Sequence, residues 1–260
     1  MTLPRQKCKT VDTMARQYVA SDAHLYRMQI DKPRERLEPE EKEIEIVDDV
    51  LRTLVEAGIL PRRMYDKEKV LAHREAVAEW FEIPWTAITP RLQRLIYAIN
   101  AIVQPRRMIA AGIFCGNTFI SNAGAAVGPG KVYDAEDLVG VEIVPSEAER
   151  AEKNMRKIDP TGEARIVVAD AVDVVRHYRH PIDLLYLDAD GDEERGKGIY
   201  LDILKAAKPW LHPGSVVLAH NSVNCTERLR NYLAYVRDPA NMKASVNVVI
   251  DGEGLEVSVA

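Results

Sequence analysis

Cysteine is scarce in this chain. Cys8, Cys115 and Cys225 are odd in number, far apart and never arranged as CxxC. That excludes a disulfide framework or a structural zinc site, and it leads to the expectation of a reducing, cytoplasmic setting. No apolar run approaches the roughly 20 residues that a membrane span needs, so no membrane partner is expected. Arg5, Lys7 and Lys9 are not followed by an apolar stretch, so a secretory signal is not expected either. Positive charge is not in excess: the net charge is −5, and the pairs Arg62-Arg63 and Arg106-Arg107 sit among acidic residues. This balance argues against nucleic acid as a partner. Repeats and low-complexity tracts are absent as well. Three Trp and ten Tyr are compatible with a planar aromatic ligand without indicating one. What is present is 260 residues of ordinary globular composition, 47% apolar, enough for one large domain or one domain with an extension.

The chain divides by its periodicity. Residues 1–88 hold few strand signals. Apolar residues recur at helical intervals over Glu43–Leu60 and Lys67–Phe81, and the charged segment Asp31–Lys42, flanked by Pro33 and Pro39, reads as a surface loop. This predicts a helical N-terminal extension over 1–88. After a further amphipathic helix, Leu92–Val103, strands and helices alternate. Strands are predicted at Met108–Ala111, Leu138–Ile143, Ala164–Val168, Ile182–Leu187 and Ser215–Ala219. Helices are predicted at Thr118–Ala126, Ser146–Ile158, Ala171–Tyr178, Tyr200–Leu211 and Thr226–Val236. Short apolar strands separated by helices indicate a parallel sheet covered on both faces. The tail differs: two strands, residues 244–250 and Leu255–Val259, flank Asp251-Gly252-Glu253-Gly254 as an antiparallel hairpin.

The run Met108–Thr118 is a strand that breaks into a glycine-bearing turn and opens a helix. Glycine lets a ligand approach the backbone. The next strand ends in Glu142, where a carboxylate can accept the hydroxyls of a ribose. A phosphate-binding P-loop needs Lys and a hydroxyl after its last glycine, but Gly116 is followed by Asn117-Thr118. A dinucleotide turn needs G-x-G-x-x-G, but the spacing is Gly112-x-x-x-Gly116 with no third glycine. The nucleoside cofactor that remains is S-adenosylmethionine.

The segment Leu92–Ala260, about two thirds of the chain, resembles the class I S-adenosylmethionine-dependent methyltransferases, and within them the catechol and caffeoyl-CoA O-methyltransferases. The motifs that carry the likeness occur in order: Gly112–Thr118, Glu142, Val168–Ala171, Asp183–Asp190, Tyr200–Leu204, Leu211–Ala219 and Gly254–Ser258. The resemblance implies a Rossmann-like, doubly wound sheet of seven strands, parallel with an antiparallel C-terminal hairpin. Residues 89–260 would form the methyltransferase domain, and residues 1–88 a substrate cap and dimerisation element. It also implies S-adenosylmethionine bound by Gly112, Phe114, Gly116, Thr118, Glu142, Asp170, Ala171 and Asp188, a small-molecule hydroxyl as methyl acceptor, and a homodimer. Asp170 could instead cap the helix that begins at Ala171, and the two roles can coexist.

The acceptor side departs from that pattern. In the resembled enzymes a divalent ion is held by an Asp after the fourth strand and an Asp-Asn pair after the fifth. Here Asp188 and Asn221 match, but His220 stands in the middle position, and imidazole suits transition metals better than Mg²⁺. Three alternatives stay open: a metal held by Asp188, His220 and Asn221; no metal, with His220 as general base beside Asp188; or a structural His220. The family's catalytic Lys is absent after Asp188. Lys197, a few residues on, could substitute for it, but a solvated loop lysine is the favoured reading. Ala110 replaces an acid that contacts the cofactor's amine. Tyr26 and Trp85 are candidate walls of the acceptor pocket. These departures keep two alternatives beside an O-methyltransferase: a nicotinamide-dependent oxidoreductase, and a cofactor-binding dimer without catalysis.

Overall fold

A computed structural model describes residues 16–260; Cys8 and the basic residues Arg5, Lys7 and Lys9 lie outside the described residues. The alternating C-terminal part forms β2 (Arg107–Ala111), α4 (Asn117–Ala123), β3 (Asp137–Glu142), α5 (Pro145–Ile158), β4 (Ala164–Val168), α6 (Ala171–His177), β5 (Ile182–Leu187), α7 (Ile199–Ala207), β6 (Leu211–His220), α8 (Thr226–Val236), β7 (Ala244–Val249) and β8 (Leu255–Val259). Before it come β1 (Gln17–Val19), α1 (Glu40–Glu56), α2 (Lys67–Trp80) and α3 (Pro90–Val103).

The strands form one mixed sheet in the order β1-β7-β8-β6-β5-β2-β3-β4. Strands β2 to β6 are mutually parallel, and β8 runs antiparallel to both β6 and β7. The sheet therefore has eight strands where seven were expected. The extra one is β1, which pairs in parallel with β7 at the sheet edge, Gln17 opposite Asn247. Three residues are too few to show a period of two. Its partner lies near the other end of the chain, so no local signal could reveal it.

Alternation of side chains across each strand sorts the core into two layers. Met108, Ala110, Leu184 and Tyr186 face α1 to α5, through Val47, Leu51, Leu95, Phe119 and Met155. Ile109, Ala111, Leu185 and Leu187 face α6 to α8, through Val175, Ile203, Leu204, Leu229 and Tyr232. The N-terminal helices thus share a core with one face of the sheet. Helix α3 opens with Pro90 in its first turn, and its N-cap hydroxyl, Thr89, accepts from the Leu92 amide at 3.3 Å. Its buried Arg91 pairs with Asp22 at 2.8 Å and Glu38 at 2.6 Å, and its buried Arg94 pairs with Glu40 at 2.6 Å. These pairs fasten residues 22–40 to the domain, so the segment expected as a surface loop is anchored at Glu38.

Strand β2 lies between β3 and β5, which follow it along the chain on opposite sides. Strand order reverses at that point, and a crevice opens beyond the C-terminal ends of the strands.

Candidate functional site

The crevice is a cavity of about 850 Å³. Gly112, Phe114, Thr118, Glu142, Asp170, Ala171, Asp188, His220 and Asn221 all line it. Among the predicted site residues Gly116 does not; it sits one position outside, as the N-cap of α4 with φ +90°. Trp85 and Ile88, just before α3, complete the wall, and the Trp85 ring meets Phe114 edge-on at 5.2 Å. Tyr26 lies elsewhere, its ring 3.8 Å from the Arg91 guanidinium. Ala110 is buried in the core layer and lines nothing.

The glycine turn has a specific steric reason. Gly112 has φ +79°, and its amide donates to Val141 O at 2.9 Å. A Cβ there would come within 2.4 Å of the Ala189 backbone, so only glycine lets the loop after β2 pass the loop after β5. The turn then aims the Phe114 amide at Glu142 Oε2, 2.8 Å away, while the Val144 amide donates to Oε1 at 3.0 Å. Two backbone donors hold the Glu142 carboxylate in one orientation. Each oxygen keeps lone-pair capacity for a ligand hydroxyl. The side-chain amide of Asn117 and the hydroxyl of Thr118 are buried, line the same cavity and have no partner among the described residues. Buried polar atoms left unpaired are costly, so a polar ligand group is the natural occupant. Asp170 caps α6 by accepting from the Val172 amide at 2.7 Å, and it faces the cavity as well.

The acceptor side is built from ion pairs. Lys197 Nζ donates to Asp188 Oδ1 at 2.9 Å and to the Asp188 carbonyl at 2.8 Å, and it lies 3.2 Å from Asp190 Oδ2. The Lys197 side chain is only 12% exposed; the expectation of a solvated loop lysine was wrong. The loop closes on itself through Gly191 N to Gly196 O at 3.0 Å and Gly196 N to Asp192 O at 2.8 Å, and this returns Lys197 to the strand end. No periodicity encodes such a closure.

His220, buried at the end of β6, has Nδ1 at 3.3 Å from Asp188 Oδ2 and Nε2 at 2.9 Å from Glu253 Oε2. Neither ring nitrogen is aligned as a hydrogen bond. Glu253 comes from the β7–β8 loop. Asp251 fixes that loop by accepting from the amides of Glu253 and Gly254 and from the Thr89 hydroxyl, at 3.0, 2.9 and 2.6 Å. The loop was read from sequence only as a turn, so Glu253 went unseen.

Burial opposes charge on His220, but Asp188 and Glu253 outweigh it and hold its pKa up at about 10. Burial likewise opposes ionisation of Asp188, yet Lys197 and His220 pull its pKa down to about 2. Lys197, too, is raised above the ordinary lysine value, its burial outweighed by Asp188 and Asp190. The two flanking carboxylates favour the protonated ring, a setting that leaves little basicity for a general base at His220.

The same geometry bears on the metal. A ligating imidazole must be neutral, and both His220 nitrogens face carboxylates. Both Asp188 oxygens are already in ion pairs. A divalent ion on Asp188 would have to sit beside the Lys197 ammonium, which already occupies Asp188 Oδ1 and repels a second cation. Asp188, His220 and Asn221 do not fit a divalent ion, and the described residues contain no cluster of three or more His, Cys, Asp or Glu suited to one. Asn221 has φ +63°, which Asn tolerates in a tight turn, and its carbonyl accepts from the Cys225 amide at 3.0 Å.

Comparison with known proteins agrees with this architecture. A family model described as a methyltransferase domain matches residues 109–222. A catechol O-methyltransferase from Niastella koreensis is 23% identical over 163 residues, covering 61% of this chain and 68% of that protein. Among solved structures, the O-methyltransferase TomG from Streptomyces achromogenes, in complex with SAM, superposes with a TM-score of 0.55 at 19% identity. That match covers 75% of this chain and 91% of TomG. The O-methyltransferase from Bacillus cereus, in complex with SAH, gives 0.54 at 16% identity, over 84% of this chain and all of that one (100%). The family likeness and the Rossmann-like α/β fold expected from the sequence are borne out.

Proposed function

We propose, from the match of residues 109–222 to a methyltransferase-domain model, that this protein transfers the methyl group of S-adenosylmethionine to a hydroxyl of a small molecule. The observation that carries the proposal is the single cavity at the switch point. It places an oriented carboxylate and unpaired polar atoms on one side, and a charged Asp188–His220–Glu253 chain on the other. S-adenosylmethionine supplies an electrophilic methyl group on a sulfonium, which an acceptor oxygen takes in line. The chain's own residues do the rest. Glu142 accepts the ribose hydroxyls. Asn117 and Thr118 satisfy the amino-acid end. Asp170 and Ala171 border the adenine. Trp85 and the segment before α3 close the acceptor side, which supports residues 1–88 as a cap.

The reaction forms an O–CH₃ bond as the S–CH₃ bond breaks, and it releases the hydroxyl proton. Positive charge at His220 favours the oxyanion as the hydroxyl proton leaves, and the oxyanion's charge is spent as the O–CH₃ bond forms. Glu253, whose side chain is 39% exposed, reaches both His220 and water and is placed to take the proton. The Niastella relative is named for catechol; a phenolic acceptor loses its proton more readily than an alkyl alcohol, which suits a site whose nearest basic groups are carboxylates.

Titration calorimetry with S-adenosylhomocysteine tests the proposal: binding is expected, and failure of both it and S-adenosylmethionine to bind would falsify it. Turnover of catechol would extend it to the acceptor. A homodimer is carried over from the resemblance and is testable by light scattering. Cytoplasmic location is an expectation of the same kind; among the described residues, no helix is long and apolar enough to cross a membrane.

A further inference from the structure

The acceptor side holds its cations in covalent form. Lys197 sits on Asp188 with three oxygens around its ammonium: Asp188 Oδ1 at 2.9 Å, the Asp188 carbonyl at 2.8 Å and Asp190 Oδ2 at 3.2 Å. The Tyr200 ring lies 5.7 Å from Nζ and shuts off another approach. Three N–H donors facing three acceptors leave this ammonium nothing to offer a ligand. Its place is nonetheless deliberate. The loop that delivers it is closed by two hydrogen bonds of its own. That loop also packs against α8, with the Arg228 guanidinium lying over Gly196.

His220 complements it. The ring is buried, lines the cavity and lies between two carboxylates, yet its N–H groups are not spent in aligned hydrogen bonds. Asp188, the carboxylate that directly follows β5, is thus claimed on one oxygen by Lys197 and on the other by His220.

We propose that Lys197 and His220 together replace a divalent ion at the acceptor site, and that methyl transfer by this protein needs no metal. Lys197 acts as a positioning residue that fixes Asp188 and excludes an added cation, and His220 occupies the second Asp188 oxygen. The inference rests on the methyl-transfer proposal, but its test does not depend on turnover.

Mn²⁺ alone is the probe, titrated into the full-length chain and followed by loss of the free-ion resonance. The wild type is expected to show no Mn²⁺ site that Asp188→Ala removes. A Lys197→Ala/His220→Asp double variant loses the competing ammonium and regains a hard oxygen donor beside Asn221. It is expected to bind one Mn²⁺ at least about tenfold more tightly than the wild type. A wild-type site lost in Asp188→Ala overturns the proposal, as does a folded double variant that binds no better than wild type. If near-ultraviolet circular dichroism shows the double variant unfolded, Lys197→Ala decides in its place by the same criterion, with tighter binding than wild type expected. S-adenosylhomocysteine calorimetry on the same preparations separates the two proposals. Its failure defeats methyl transfer and leaves the Mn²⁺ outcome standing.

Discussion

The two sides of the cavity handle polar groups in opposite ways. On the cofactor side Glu142 is oriented by two amides with acceptor capacity to spare, and the Asn117 and Thr118 side chains are buried without partners. On the acceptor side Asp188, Lys197, His220 and Glu253 spend their charges on one another. The first arrangement waits for a ligand to satisfy it. The second is already neutralised and offers a ligand mainly the ring of His220. A site can therefore follow a family's pattern where it binds the shared reagent and leave it where it meets its own substrate.

The strongest way to break the contrast is Gly112→Val, because Gly112 is where the two sides touch. The side chain would overlap the Ala189 backbone and force a strained φ. A cost of at least about 3 kcal/mol is expected, read as a lower melting temperature together with loss of S-adenosylhomocysteine binding. Lys197→Met should strand the buried end of Asp188 and lower stability by about 3 kcal/mol. Affinity for S-adenosylhomocysteine, measured on folded protein by calorimetry, should stay within about twofold, since the cofactor side is untouched. Glu142→Ala should do the reverse: cofactor affinity falls by about 1 to 3 kcal/mol as hydroxyls and two amides lose their acceptor, with the acceptor-side ion pairs intact. The smallest effect is expected at Asp170. Asp170→Ala removes a helix cap and should cost about 1 kcal/mol of stability. Asp170→Asn should restore most of that, and any loss of cofactor affinity that persists in Asp170→Asn marks a direct contact by the carboxylate.

Much of the cofactor side was legible because its determinants are local. The Gly112–Gly116 spacing, Glu142 at the tip of an apolar strand and Asp170 before a helix each carry their signal within a few residues, and all but Gly116 line the cavity. The alternation of strands and helices was legible for the same reason, down to β4, β5, α8 and β8, whose observed limits coincide with those expected. The acceptor side was not. Lys197 was taken for a solvated residue because its burial depends on how a glycine-flanked loop closes. Glu253 was passed over because the tight turn of the hairpin said nothing of the His220 ring it would meet. His220 itself was noticed, but its charge could not be assigned before its two carboxylate neighbours were known.

The sequence by itself determined the layered α/β sheet, the glycine turn after β2 and the carboxylate at the end of β3, since periodicity and short-range sterics decide these. Only the tertiary structure decided the edge strand β1, the ion pairs that anchor residues 22–40, and the replacement of a metal site by Lys197 and His220. Each of those depends on the distance between charges or strands far apart in the chain, and Coulomb energy and edge pairing follow distance in space, which no local pattern of residues records.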